Sequence, residues 1–83
     1  MKVTIKYFAS IREAIGQGSE TRDTAATTLA GLRDELLSAS PAHAQSLARG
    51  KSVRMALNQV MSDESALLSE GCEVAFFPPV TGG

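Results

Sequence analysis

The chain has 83 residues, enough for one small domain with a single modest core. Apolar residues make up 43% and charged residues 20%, an ordinary globular mix that excludes a disordered or fibrous chain. The net charge of −1, with both signs interspersed, leaves no electrostatic footprint for nucleic acid or an anionic membrane.

Met1 to Phe8 alternates: Val3, Ile5 and Tyr7 point one way, Lys2, Thr4 and Lys6 the other, which is the period of a half-buried strand. Ser10-Ile11-Arg12-Glu13 reads as a capping box, with Ser10 capping and Glu13 reaching back. It starts a short helix that Gly16 ends. Gly18 turns the chain into a polar second strand around Ser19 to Asp23, suited to a sheet edge. Thr27 or Thr28 starts the main helix, with Leu29, Leu32 and Leu36 as its apolar stripe, Leu37 beside it, and Arg33, Asp34 and Glu35 facing water. Gly31 costs that helix roughly 1 kcal/mol against alanine, and close approach to the sheet is the expected compensation.

Ser40-Pro41 stops the main helix, and a looser helical turn from Ala42 to Ala48 follows, with Leu47 inward. Val53, Met55 and Leu57 alternate with Arg54, Ala56 and Asn58 in a further strand, which Asn58-Gln59 turns into a short one, Val60 to Ser62. Asp63 to Glu70 connects, anchored by Leu67 and Leu68, until Gly71. In the last strand Cys72, Val74 and Phe76 share one face; Glu73, Ala75 and Phe77 share the other. Strand, short helix, strand, long helix and three further strands predict an α+β fold, with antiparallel hairpins and the helices on one face of the sheet.

Parity places Phe8 and Phe77 on the sheet face away from the helix, beside Ala56 and Ala75, with Met61 nearby. A contiguous apolar group on an uncovered face predicts a partner. The last eight residues, Phe76-Phe77-Pro78-Pro79-Val80-Thr81-Gly82-Gly83, add a second signal. Prolines end the ladder and stiffen the exit. Two glycines at the tip let a partner's backbone close around them. A tail from Pro79 to Gly83 reaches ~15 Å when extended, enough to enter a narrow pocket.

The body offers no active site. Cys72 reads as a buried strand residue, and His43 as part of a surface turn with no acid at meaningful spacing. No carboxylate pair stands out, and one cysteine with one histidine makes no metal site. The lone cysteine excludes an intrachain disulfide and fits a reducing cytoplasm. No apolar run has membrane-spanning length, and no signal peptide is expected before the first strand. Chemistry is left to the terminal carboxylate. It becomes reactive once adenylation converts an oxygen into a leaving group, after which a sulfur nucleophile yields a thiocarboxylate.

The ending Glu73 to Gly83 resembles that of the ubiquitin-like sulfur carriers that serve as the small subunit of molybdopterin synthase. So do Tyr7-Phe8-Ala9, Ile11-Arg12-Glu13, Gly16, Leu32 and the run Val53 to Gln59. The resemblance implies one β-grasp domain over residues 1–83, a mixed sheet of about five strands packed on one main helix, with 78–83 as an extended tail. It implies that an E1-like enzyme, spending ATP, adenylates Gly83, and that a sulfur donor protein converts it to the thiocarboxylate. Pro79, Val80, Thr81 and Gly82 would then enter the large subunit, where sulfur passes to cyclic pyranopterin monophosphate to build the dithiolene. It further implies docking through Phe8, Met61 and Phe77 with a polar contact from Arg12, a heterotetramer with the large subunit, and no cofactor or metal on this chain. Carriers for thiamine or tRNA thiolation, a ubiquitin-like modifier joined to lysine through Gly83, and a binding module with an inert tail are the competing readings.

Overall fold

The computed structural model describes residues 1–79. They form β1 (Lys2–Tyr7), α1 (Ala9–Ile15), β2 (Ser19–Asp23), α2 (Leu29–Leu37), α3 (Pro41–Leu47), β3 (Arg54–Leu57), β4 (Val60–Ser62) and β5 (Glu73–Phe77). The sheet order is β2-β1-β5-β3-β4. β1 and β5 run parallel; every other pairing is antiparallel. The polar β2 takes an edge, as its composition requires. The last strand therefore lies in the middle of the sheet, so the chain leaves the body from the centre of the sheet rather than from a margin.

One face of the sheet holds the core. Val3, Ile5 and Tyr7 of β1, Met55 of β3, and Val74 and Phe76 of β5 pack with Leu29, Leu32 and Leu36 of α2, Ile11 of α1 and Leu47 of α3. Burying each large side chain contributes roughly 1.5–3 kcal/mol, which is what holds the three short helices to the sheet. No helix among the described residues is long and apolar enough to cross a membrane.

Several local expectations are corrected. The capping box does not form: Phe8 is the N-cap of α1, without a side-chain cap, and Ser10 lies inside the helix. The reason is that β1 runs straight into α1. The Phe8 amide still donates to Phe76 (3.2 Å), while its carbonyl already accepts from Ile11 and Arg12 (3.1 and 3.3 Å). Ala9 makes the corner at φ +50°. Gly16, at φ +90°, closes the helix as expected.

Thr28 caps α2 by accepting from the Gly31 amide at 3.1 Å. Gly31 does not touch the sheet; a Cβ there would come within 3.2 Å of the Ala26 Cβ, so it makes room for the segment leading into its own helix. Arg33 does not face water. It is buried and donates to the carbonyls of Leu47 (2.7 Å) and Ala48 (3.0 Å), tying α2 to the otherwise unsatisfied end of α3. Asp34 is held from outside by Arg49, which also pairs with Glu64 at 2.6 Å. Glu35 accepts from Arg22 (2.6 Å) and Thr24 (2.8 Å). Burial pushes its carboxyl up, but those two bonds and the Arg22 charge outweigh it and leave the pKa below the ordinary value.

Between Asp63 and Gly71 Leu68 is buried and Ala66 packs half-buried against the core, but Leu67 is 72% exposed. Backbone bonds also fix this segment: Leu68 donates to Thr27 (2.8 Å), and Leu29 donates to Ala66 (3.0 Å).

Asn58-Gln59 is the two-residue turn between β3 and β4, with φ of +50° and +68°. Both values are those of a type I′ turn, whose second place favours glycine. Gln59→Gly is expected to stabilise the fold by ~0.5–1 kcal/mol, raising Tm by a few degrees in a thermal melt. An unchanged or lower Tm would mean the turn is not strained.

His43 is not on a surface turn either. It sits in α3, which is a true helix: Ser40 caps it by accepting from the His43 amide at 3.1 Å, and Pro41 occupies its first turn. The imidazole is buried, edge-on to Tyr7 with ring centroids 5.8 Å apart. One Glu20 oxygen receives Tyr7 Oη (2.9 Å), Gln17 Nε2 (3.0 Å) and His43 Nε2 (3.2 Å). Ser40 Oγ lies 2.7 Å from His43 Nδ1. With the ring proton on Nε2, that nitrogen donates to Glu20 and Nδ1 accepts from the Ser40 hydroxyl.

Burial first, then the bond to Glu20 and that carboxylate's charge, hold the Tyr7 phenol well above its ordinary pKa. An acid raised on folding lends stability that is complete below its unfolded pKa and is lost as pH rises above that value. Tyr7 is the only tyrosine and there is no tryptophan. An ultraviolet titration is therefore expected to show no phenolate until the protein unfolds at alkaline pH. Ionisation near pH 10 with the far-ultraviolet circular dichroism intact would contradict the buried pairing.

Candidate functional site

The uncovered face of the sheet is read directly from the register. One cross-strand row is Lys6, Ala75, Ala56 and Met61; the next carries Phe77 and Arg54. Phe8 follows Tyr7, which pairs with Phe76, so it stands beside Phe77. The two rings stack, with centroids 4.7 Å apart and planes 12° from parallel. Such a pair is worth ~0.5–1.5 kcal/mol beyond its buried area. Ala56 and Ala75 are buried even on this open face, forming a low floor between the Phe8–Phe77 stack and Met61. On this face Phe8 is 41% exposed and Met61 58%. The apolar area is thus concentrated where β5 ends. Lys6 and Glu73 pair across this face at 3.4 Å.

Two hollows flank the neck of the chain after β5. One, of about 250 Å³, is lined by Arg54, Met61, Phe77 and Pro78. The other, of about 260 Å³, lies towards the helices and includes Ile11, Ser46, Lys51, Val53, Pro78 and Pro79. Pro78 is a wall of both. A proline cannot donate to the ladder, so the two of them end β5 at Phe77, level with the end of β1 and the start of β3.

The expected site residues therefore fall into three groups. Phe8, Met61 and Phe77 come together on the open face. Pro79 lines the helix-side hollow. Arg12 is not among the residues lining either hollow; its side chain lies over Gly18, where a Cβ would come 3.3 Å from its Nε. Val80, Thr81, Gly82 and Gly83 lie outside the described residues. Sequence reasoning missed Arg54 and Lys51, which only the register and the approach of α3 bring to the neck. The available signal was that Arg54 shares the parity of Ala56, already assigned to the open face.

A mixed sheet with its last strand central, wrapped on one face around α2, is the ubiquitin-like β-grasp fold. Its solved neighbours agree. The crystal structure of SAMP1 from Haloferax volcanii superposes with a TM-score of 0.80 at 25% identity, each chain covered in full. One chain of a complex of subunits 1 and 2 of the molybdopterin-converting factor from Helicobacter pylori gives 0.72 at 25% identity, with this chain and that one each covered in full.

Within that fold the chain belongs to the ThiS family, whose pattern matches residues 5–83. It is 36% identical over 81 residues to the molybdopterin synthase sulfur carrier subunit of Escherichia coli K12, covering 98% of this chain and 99% of that one. The protein of that name from Mycobacterium tuberculosis is 35% identical over 85 residues, covering all of this chain and 99% of that one.

Proposed function

We propose that this chain is the sulfur-carrier subunit of a molybdopterin synthase. The observation that carries the reading is the end-to-end likeness to proteins of that name, on a fold whose last strand is central and ends at the Phe8–Phe77 stack. The chain carries no active site of its own and binds no cofactor. An E1-like enzyme adenylates the Gly83 carboxylate with ATP, releasing pyrophosphate. Sulfur supplied by a donor protein then displaces AMP and leaves a thiocarboxylate. Pro79 to Gly82 pass into the large subunit, which docks on Phe8, Met61 and Phe77, with Arg12 at the periphery. There each loaded Gly83 gives up one sulfur to cyclic pyranopterin monophosphate, water restores its carboxylate, and a second loaded chain supplies the other sulfur of the dithiolene.

The geometry supports this division of labour. The core sits on the far face of the sheet from the docking residues, so a partner can cover that face without disturbing the packing. Incubation with the activating enzyme, ATP and a sulfur donor, followed by intact mass, tests the reading. Exchange of one oxygen for sulfur is the expected result; an unchanged mass contradicts it. A second reading, a protein modifier, draws on the likeness to SAMP1, described as a small archaeal modifier protein. In the same experiment with cell extract it would give larger conjugates through Gly83.

A further inference from the structure

Eight cationic side chains are spread over the chain. Lys6 pairs with Glu73, Arg22 with Glu20 and Glu35, and Arg49 with Asp34 and Glu64. Arg33 is spent on two carbonyls. Among the described residues Lys2, Arg12, Lys51 and Arg54 have no carboxylate at ion-pair distance. Two of these line the hollows on opposite sides of the neck: Arg54 beside Met61 and Phe77, Lys51 beside Ile11 and Val53. Both are exposed, and the protein as a whole is slightly acidic, so this is a local arrangement rather than bulk attraction.

We propose that Lys51 and Arg54 form a two-sided collar around Pro78 and Pro79 that receives carboxylates from the rim of the large subunit's tail pocket. Each hollow is mostly apolar with one cation at its edge, which matches an apolar partner side chain next to an acidic one. Charges on both sides of a narrow neck do what a single patch cannot: they fix the rotation of the body about the inserted tail. They also steer encounter, since complementary charges act mainly on the association rate and are weakened by salt. Arginine suits the open-face position, where its planar fork can bind a carboxylate at two points above the Phe77 ring.

This proposal rests on the large subunit docking at the apolar face, and the test separates the two. Binding of the full chain to the large subunit is measured kinetically at low and moderate salt for the wild type, for the double variant Lys51→Glu with Arg54→Glu, for the milder Lys51→Gln with Arg54→Gln, and for Phe77→Ala. The charge reversal is expected to weaken binding at least ~10-fold at low salt, mostly through slower association, and to flatten the salt dependence; the neutral pair should fall between. Unchanged affinity in both charge variants, or a loss whose salt dependence matches the wild type, overturns the collar. If only Phe77→Ala then weakens binding, docking at the apolar face stands without it. If Phe77→Ala too is without effect, the docking reading itself fails.

Discussion

Removal of Gly83 is expected to abolish sulfur loading outright while shifting Tm by no more than about 1 °C. The two effects separate because the core and the reactive group are far apart along the chain. Among the described residues every large buried side chain lies between Val3 and Phe76, and the last ladder residue is Phe77. Truncation by one glycine removes the carboxylate from the position the activating enzyme reads and places a Gly82 carboxylate one residue short, roughly 3.5 Å back along an extended tail. That displacement is ruinous for a reaction that depends on near-attack geometry. Intact mass after the loading reaction, set beside a thermal melt, checks both halves. A truncated chain that still gains sulfur would place the reactive group elsewhere.

Phe77→Ala carries the second large effect, on association. Phe77 is only half-buried in the free protein, where it stacks on Phe8 and lines the open-face hollow. Losing the stack and part of its buried area is expected to cost the fold ~1–2 kcal/mol. On the proposed docking the ring would be fully covered near the centre of the contact, where aromatic anchors carry much of the binding energy. The large-subunit affinity is expected to fall by ~10- to 100-fold. Calorimetric titration and chemical denaturation of the same variant give the two quantities side by side. Equal affinity would remove Phe77 from the interface.

How much of this was legible in the sequence depends on the range over which each feature is determined. Strand parity is a local property, so Val3, Ile5 and Tyr7, the leucine stripe of α2, the Asn58-Gln59 hairpin and the exposed edge position of the polar β2 could all be read from spacing and composition. Parity also exposed Phe8 and Phe77, and the register then showed them as one stack rather than two separate rings. The failures share a different cause. Ser10 and Glu13 have the residue types of a capping box, but a strand that turns directly into a helix left the capping place to Phe8. Arg33 reads as a solvent-facing residue until a second helix end arrives to need its donors. His43 and Glu20 are 23 residues apart, and Tyr7 and Glu20 13 apart, so nothing local announces that they meet. A buried phenol does require a partner, and that demand was the available clue.

The neck repeats the lesson. Two prolines after an aromatic strand signal an exit from the sheet, yet its place in the middle follows from the parallel pairing of β1 with β5, a contact between the two ends of the chain. Arg54 and Lys51 acquire meaning only from that placement.

The proposed source of the transferred sulfur is the Gly83 thiocarboxylate. The most direct test is a single turnover with isotopically heavy sulfur loaded onto the purified chain, then mixed with the large subunit and cyclic pyranopterin monophosphate. Mass analysis of both products is expected to find the heavy isotope in the dithiolene and the chain returned to its carboxylate form. Light sulfur in the dithiolene, with the heavy label still on the chain, would contradict it.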